Sequence, residues 1–477
     1  MSVSDKPKIS MGLALLDLST WIRRRPWLKA IYQHFPVAMR KRLSVALASR
    51  ASRQIRFQRT SNWERRGCSP VRAPALAESE AFHKEFGEKA GVNIFAYARG
   101  QFGLAESARL YTRALLAEGY PLAVYNIELD IPHGMDDVSL DQYIGTDTPY
   151  GVNLIFVNPD YLEEAIAFIG HVRLANRYTI ACWFWELETF PDEWLPALSL
   201  VDEVMVSSSF IAGMIEPVTD KPILHVPLPV GEIEDSGLER ADFGLDAAAF
   251  IFLNSFDFNS FLSRKNPFAA IDAFRLAFSD DRMDVRLLIK SSNGYRHPEC
   301  LRELLRVAVS DPRIIVRDDV IDRSDMQALQ RCVDAYVSLH RAEGFGLGLA
   351  ESMRLGKPVI ATAWSGNMEY MTPDNSCLVD YRLVPVNEGE YLHHAGQRWA
   401  EPDVDHAAVQ MRRLVEDREY AAKIGAQAAI DIREKLSFQT AAAHIIRRLE
   451  ALSSFSRSSS GTGSDSVTGI PVKASNS

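Results

Sequence analysis

At 477 residues the chain exceeds the roughly 250–300 at which a single hydrophobic core stops growing, so two main domains are expected. Its formal charge of −9 is unevenly spread: residues 1–66 hold fifteen Lys/Arg against three Asp/Glu, a net of +12 that leaves −21 for the remainder and argues against a nucleic-acid-binding body. Five scattered cysteines (Cys68, Cys182, Cys300, Cys332, Cys377), no His-Glu-x-x-His and no run of 18 apolar residues exclude a disulfide framework, a zinc site of ordinary spacing and a transmembrane helix.

In chain order, residues 1–66 read as two basic amphipathic segments, 13–31 and 36–57, in which Trp21, Trp27, Tyr32 and Phe35 are mixed with Arg23, Arg24, Arg25, Lys29, Arg40, Lys41 and Arg42. That mixture suits an interfacial helix on an anionic membrane, each basic residue adding about 1 kcal/mol near the lipid surface. It equally suits an extension packed on the acidic body, and Pro26 breaks the first segment. Asp17 interrupts the one short apolar stretch near the start and the basic cluster follows it, so no secretory signal is read. The expected location is cytoplasmic, with peripheral attachment to the inner face of a membrane if residues 1–66 dock there.

From Gly91 the pattern becomes short apolar runs alternating with helical periodicity, as in a doubly wound α/β domain. Strands are predicted at 92–97, 152–157, 178–184, 203–207 and 223–226, within a first domain spanning 91–235 after an extension of 1–90. The first strand leads into Ala98-Arg-Gly-Gln-Phe-Gly-Leu-Ala-Glu-Ser-Ala-Arg109, where Gly100 and Gly103 let a ligand approach the backbone, although a glycine at a helix start is often only a turn. Glu106 and Arg109 are spaced for an internal pair. The third strand runs into Trp183-Phe-Trp-Glu-Leu-Glu188, whose tryptophans either stack on sugar rings or fill the core.

The polar stretch 231–244 reads as a linker, and a second series of strands follows at 250–255, 285–290, 314–317, 335–338 and 359–361, within a second domain spanning 245–435. Arg264-Lys265 sits after the first of these strands and before Asn266-Pro267 at a helix start, while Lys290, at the end of the next, is as readily a solvated surface residue. The run His340-Arg-Ala-Glu-Gly-Phe-Gly-Leu-Gly-Leu-Ala-Glu-Ser-Met-Arg-Leu-Gly-Lys-Pro358 is a strand-loop-helix-strand unit with Glu343 and Glu351 on either side of a glycine-rich turn. Ligands of such sheets bind at the carboxyl ends of the strands. Free amides around Phe345 to Gly348 suit phosphate oxygens, each favourable term being roughly 0.3–1 kcal/mol. Carboxylates repel phosphate but accept from vicinal hydroxyls at about 1.5–3 kcal/mol per charged bond, so one glutamate for a ribose and one for a hexose is the natural division. Two glutamates alone fit an ion pair and a loop cap better than a ligand site; the glycines, the strand before them and the Gly-Lys-Pro stop reverse that preference.

Asp403-Val-Asp405 follows Pro402 at a helix start and reads as a cap rather than a metal-binding pair. The chain is expected to be helical to Leu452, with residues 436–452 as a last helix, and the Ser/Gly-rich tail 453–477 to be disordered.

Over Glu343 to Ala361 the sequence resembles the retaining glycosyltransferases of family 4, or group 1, whose signature is a Glu, seven residues and a second Glu, then a small-residue turn and a strand. The resemblance extends from about residue 91 to 452 and implies the GT-B architecture: two doubly wound, Rossmann-like domains facing across a cleft, the first for the acceptor and the second for the donor, with the last helix crossing back onto the first domain. It implies that Glu343 faces the donor sugar, that Glu351 binds the ribose, and that the backbone of Phe345, Gly346 and Leu347 touches the diphosphate and sugar. Gly100 and Gly103 then lie near donor phosphate or acceptor. Lys265 matches the family's loop lysine; the separate upstream arginine is missing, its place held by residues 257–259, and Arg264 substitutes for it in stabilising the leaving phosphate. The histidine many members carry after a first-domain strand is also absent, and Glu186 is the best candidate for a polar group at the acceptor. The implied activity is metal-independent transfer of a hexose or deoxyhexose, with retention, from a nucleotide diphosphate sugar to a hydroxyl of a glycan or lipid-linked glycan, with no cofactor beyond that co-substrate. A nucleotide-sugar epimerase or hydrolase of the same fold, or a sugar-nucleotide-binding protein without turnover, are the alternatives.

Overall fold

In the computed structural model of the protein the described residues are 91–460 apart from 132, 176, 280 and 281, with the side chains of 453–460 also outside the description. The readings made on residues 1–90 and 461–477 lie outside the described residues.

Two six-stranded, all-parallel sheets organise the chain. The first has the order β2-β1-β3-β4-β5-β6, built from β1 (Val92–Ala96), β2 (Leu122–Asn126), β3 (Val152–Phe156), β4 (Tyr178–Cys182), β5 (Glu203–Val206) and β6 (Ile223–His225). The second has the order β12-β11-β10-β7-β8-β9, from β7 (Phe250–Asp257), β8 (Val285–Ser292), β9 (Ile314–Asp318), β10 (Ala335–Ser338), β11 (Val359–Thr362) and β12 (Cys377–Val379). Helices cover both faces, so β1, β3, β10 and β11 are buried along their whole length and are mostly apolar, the two asparagines among them, Asn93 and Asn153, being paired with each other at 2.8 Å. This is the pair of doubly wound, Rossmann-like layers expected of GT-B. The strand order of each sheet reverses beside its first strand, β1 or β7, and at such switch points the connecting loops splay apart and leave a crevice at the carboxyl ends.

In the first domain the helices are α1 (Gly103–Ala117), α2 (Pro159–Ile169) and α3 (Ser209–Ile215). The second contains α4 (Leu262–Lys265, a single turn), α5 (Pro267–Ala277), α6 (Pro298–Ala308), α7 (Arg323–Cys332) and α8 (Leu347–Arg354), followed by α9 (Val404–Glu416), α10 (Arg418–Lys435) and α11 (Phe438–Ser460). Asp403 caps α9, its carboxylate accepting from the His406 amide at 2.9 Å. Helix α11 lies against α1 of the first domain. There Arg448 places Nη2 2.7 Å from Oε2 of the buried Glu203 on β5, which also accepts from Tyr178 Oη at 2.9 Å. The helix continues to Ser460, eight residues past the expected end, so the tail predicted to be disordered from 453 starts as helix.

An antiparallel hairpin, β13 (Tyr381–Pro385) and β14 (Arg398–Pro402), was not anticipated. Its connection reaches the first domain: Gln397 exchanges hydrogen bonds with the Thr189 backbone at 3.0 and 3.2 Å, and Arg398 Nε lies 3.1 Å from Oε2 of Glu188. Among the described residues no helix is long and apolar enough to cross a membrane.

Candidate functional site

The site is built at the carboxyl end of β10. Leu339, His340 and Ala342 continue the strand into the interior, and the chain then turns at Gly346, φ +87°, into α8. The Gly346 carbonyl accepts from the Leu349 amide at 3.0 Å and from Tyr370 Oη at 2.7 Å, which fixes the turn from both sides. The first-turn amides of α8, Leu347 and Gly348 among them, have no acceptor within the helix and give its start a partial positive charge. Gly356, φ +73°, ends the helix in a conformation only glycine adopts without strain.

Glu343 is locked into this loop by its backbone. Its amide donates to Ser365 Oγ at 2.8 Å, and its carbonyl accepts from the Gly366 amide at 2.8 Å. Ser365 holds φ +74°, a costly angle for a residue with a Cβ, and such strain persists only where surrounding contacts enforce it. Ser208 of the first domain donates to the Gly344 carbonyl at 2.9 Å, so the loop is gripped across the domain boundary.

Four predicted residues converge in one buried cluster. Glu343 Oε1 lies 2.5 Å from Lys265 Nζ and Oε2 lies 3.2 Å from Arg264 Nη1, while Arg264 Nη2 is 3.6 Å from Oε1 of Glu186. Tyr391, from the β13–β14 connection, donates to Glu186 Oε2 at 2.7 Å. Arg264 and Lys265 ride on α4, a turn bracketed by Phe261 at φ +64° and Asn266 at φ +48°. Two acids thus balance two bases. Burial raises the Glu343 carboxyl, but the Lys265 and Arg264 charges outweigh it and hold it at about 2. Burial pushes the Lys265 ammonium below its ordinary value despite the pull of Glu343. His340, fully buried, is pushed down to about 4 by burial against the attraction of Glu343, so it is neutral near pH 7, and neither ring nitrogen has a hydrogen-bond partner.

Glu351 stands apart from this cluster. It lines a cavity of about 400 Å³ between the domains, together with Gln101 and Phe102 of the first domain and Ser255, Lys290 and Gly348 of the second. Gly100 and Gly103 flank the two first-domain residues. Arg323 lies with Nη2 2.6 Å from Glu351 Oε1 and Nη1 2.9 Å from Oε1 of Glu106, which is itself paired with Arg109 at 2.7 Å. Burial raises the Glu351 carboxyl above its usual range, opposed by Arg323. Glu106 goes the other way: burial raises it, yet Arg323 and Arg109 bring it down to about 2.

The structure decides between the alternatives left open for several residues. Trp183 and Trp185 are core residues, 1 % and 4 % exposed. Trp183 packs on Phe190, and Trp185 packs on Trp194 and Tyr391 while its Nε1 donates to the Thr189 carbonyl at 3.0 Å, so neither presents a face to a sugar. Lys290 is buried rather than solvated, its ammonium 3.1 Å from Asp319 Oδ1. The Phe345 side chain is buried against Tyr370, leaving its backbone as the part able to meet a ligand. Tyr391 and Arg323 were missed. Arg323 had a signal: a cation in the first turn of a helix runs against the helix dipole and needs a local cause. Among the described residues no group of three His, Cys, Asp or Glu is placed to hold a metal ion.

Residues 255–397 match the family Glycosyl transferases group 1. Among solved structures the chain is similar to HepE of Anabaena in complex with UDP and glucose, at 15 % identity and TM-score 0.55, over 76 % of this chain and 100 % of that one. It is similar in the same degree to sucrose-phosphate synthase of Thermosynechococcus elongatus, at 14 % identity and TM-score 0.55, over 77 % and 100 %. A curated relative, trehalose synthase of Rubrobacter xylanophilus, is 22 % identical over 205 residues, which is 42 % of this chain and 43 % of the relative, so the match spans less than half of that protein. Two facing Rossmann-like domains with a glycine-turned loop at the gap define the GT-B class. Within it, the stretch that matches the group 1 glycosyl transferase model, residues 255–397, falls in the second domain.

Proposed function

We propose that this chain is a retaining glycosyltransferase of family 4 that moves a hexose or deoxyhexose from a nucleotide diphosphate sugar to a hydroxyl of a glycan or lipid-linked glycan. One observation carries the reading: the Glu351 carboxylate and the first turn of α8 at Gly348 open onto the same interdomain cavity, an acceptor for hydroxyls beside donors for phosphate. Glu351 takes the ribose hydroxyls, and the amides around Phe345, Gly346 and Leu347 take the diphosphate. Glu343 takes hydroxyls of the donor sugar. Gly100 and Gly103 shape the first-domain side of the gap.

Lys265 and Arg264 stabilise charge on the departing phosphate. Because both now face Glu343 and Glu186, donor binding trades part of that pairing for phosphate, and Glu343 is released toward the sugar. The acceptor hydroxyl attacks on the face the phosphate leaves, its proton passing to the leaving phosphate oxygen, so no covalent nucleophile or metal is invoked. Glu186, oriented by Tyr391, lies on the acceptor side. The two domains exclude water that would hydrolyse the donor.

UDP-glucose is the first donor to try, since the structurally similar HepE binds UDP and glucose; GDP-mannose and ADP-glucose complete the panel. A bound donor at 100 times its Kd should add about 2.7 kcal/mol of stability and raise Tm by a few degrees. Incubation with a glycan acceptor should then yield a product whose anomeric configuration, read by NMR, matches the donor's. Free sugar released without acceptor points to a hydrolase, binding without any product to a binding protein, and an inverted product contradicts the mechanism.

A further inference from the structure

Arg323 opens α7, where the free amides of the first turn favour an anion over a cation. It is held there by a carboxylate on each side, Glu106 of the first domain at 2.9 Å and Glu351 of the second at 2.6 Å. Glu106 in turn accepts from Arg109 Nε at 2.9 Å, and Arg109 Nη1 donates to the Gly100 carbonyl at 2.6 Å. An unbroken polar chain therefore runs from the glycine loop of the first domain, through Arg109, Glu106 and Arg323, to Glu351 in the second. All four of these side chains line the interdomain cavity.

We propose that Arg323 is a positioning residue of the donor site: tied to the first domain by Glu106, it holds the Glu351 carboxylate in place for the ribose, so that this subsite is complete only when the two domains are in register. The inference rests on the ribose role given to Glu351 above. The groups facing Glu351 are Arg323, Glu106, Gln330, Gln327 and the hydroxyls of Tyr336 and Tyr370, with Glu234 acting on Arg323 from the linker. Arg323 is thus the cation that offsets both the burial of Glu351 and the repulsion from Glu106. Without it Glu351 takes up a proton at a higher pH, and a protonated carboxyl is a weaker acceptor for the two ribose hydroxyls. The sign follows: binding by the variant is lost at low pH and regained as pH rises through the raised pKa.

The test uses the full chain, calorimetric titration with UDP, GDP and ADP as probes, and pH values from about 6 to 9. For whichever nucleotide binds the unaltered protein, Arg323→Gln should weaken binding about tenfold near pH 6 and recover most of it near pH 9. Arg323→Lys, which keeps the cation, should stay within about threefold of the unaltered protein throughout. Binding by Arg323→Gln equal to the unaltered protein at every pH overturns the proposal, and so does a pH-independent loss shared by Arg323→Lys, which marks a merely structural role. Glu351→Gln separates the two claims. If it binds normally, or if none of the three nucleotides binds the unaltered protein, the ribose reading has failed; if it loses binding while Arg323→Gln does not, only the present inference has.

Discussion

Glutamine at position 343 is expected to lower turnover about a hundredfold and to destabilise the fold by about 3 kcal/mol. Glu343 is 6 % exposed and faces both Lys265 and Arg264, so neutralising it leaves two buried cations with only Glu186 to balance them. Removing one partner of a buried pair costs roughly 3–5 kcal/mol; the lower end applies because Lys265 retains some access to solvent. Turnover falls for a second reason. The carboxylate that aligns the sugar is gone, and a misplacement of about 1 Å at a reacting centre costs on the order of a hundredfold. Urea denaturation and donor consumption read the two effects separately. The pH dependence adds a check of sign: a carboxyl held at about 2 contributes stability above its unfolded value near 4.5 and loses it as pH falls toward 2, so Glu343→Gln should flatten that acid limb. Unchanged turnover would remove Glu343 from the chemistry.

Alanine at position 366 should be nearly as damaging without touching any charge. A Cβ there would lie 1.9 Å from the Gly344 carbonyl oxygen and 2.8 Å from that of Glu343, contacts that only a backbone shift can relieve. The backbone is poorly placed to yield, because the Gly344 oxygen accepts from Ser208 and the Glu343 oxygen from the Gly366 amide itself. Overpacking of this kind costs about 1–3 kcal/mol, and the upper end is expected here, accompanied by loss of donor turnover as Glu343 is displaced. Gly103→Ala is the stability control, since a Cβ at Gly103 meets nothing within 4 Å; a change within about 0.5 kcal/mol is expected. If Gly366→Ala melts with Gly103→Ala, the 343–344 loop is softer than its hydrogen bonds imply.

Sequence patterning located what a single domain determines by itself. The strand 335–338 was read to the residue because it is short, buried on both faces and punctuated by a glycine turn. The helix stop at Gly356 was equally plain. Edge strand β2 was missed because its apolar run, Leu122 to Tyr125, is only four residues long and mostly half-buried, and β12 is only three residues long. The ends of β7 and β8 extend past their predicted limits through Phe256-Asp257 and Ser291-Ser292, polar or mixed positions at the gap that periodicity assigns to loops. The hairpin β13–β14 owes its burial partly to the first domain, about 200 residues earlier in the chain, and no local pattern reports a partner so distant. The same limit governs the site. The types and positions of Glu343, Glu351, Arg264 and Lys265 were legible, but not that Glu343 and Lys265 touch across 78 positions, nor that Arg323 stands between Glu106 and Glu351. The tryptophans of the 183–188 run could be read either way because a polar neighbourhood in sequence, Glu186 and Glu188, lies over a hydrophobic one in space.

In the mechanism proposed above, the gap between the domains holds a nucleotide diphosphate sugar with Glu351 on its ribose and Glu343 on its sugar. The most direct measurement is a crystal structure of the full chain with the best-binding donor or its nucleoside diphosphate. Ribose hydroxyls are expected within hydrogen-bonding distance of Glu351, phosphate oxygens on the amides that open α8, and Lys265 turned from Glu343 toward phosphate. A nucleotide bound elsewhere, with Glu351 still engaged only by Arg323, would contradict that mechanism.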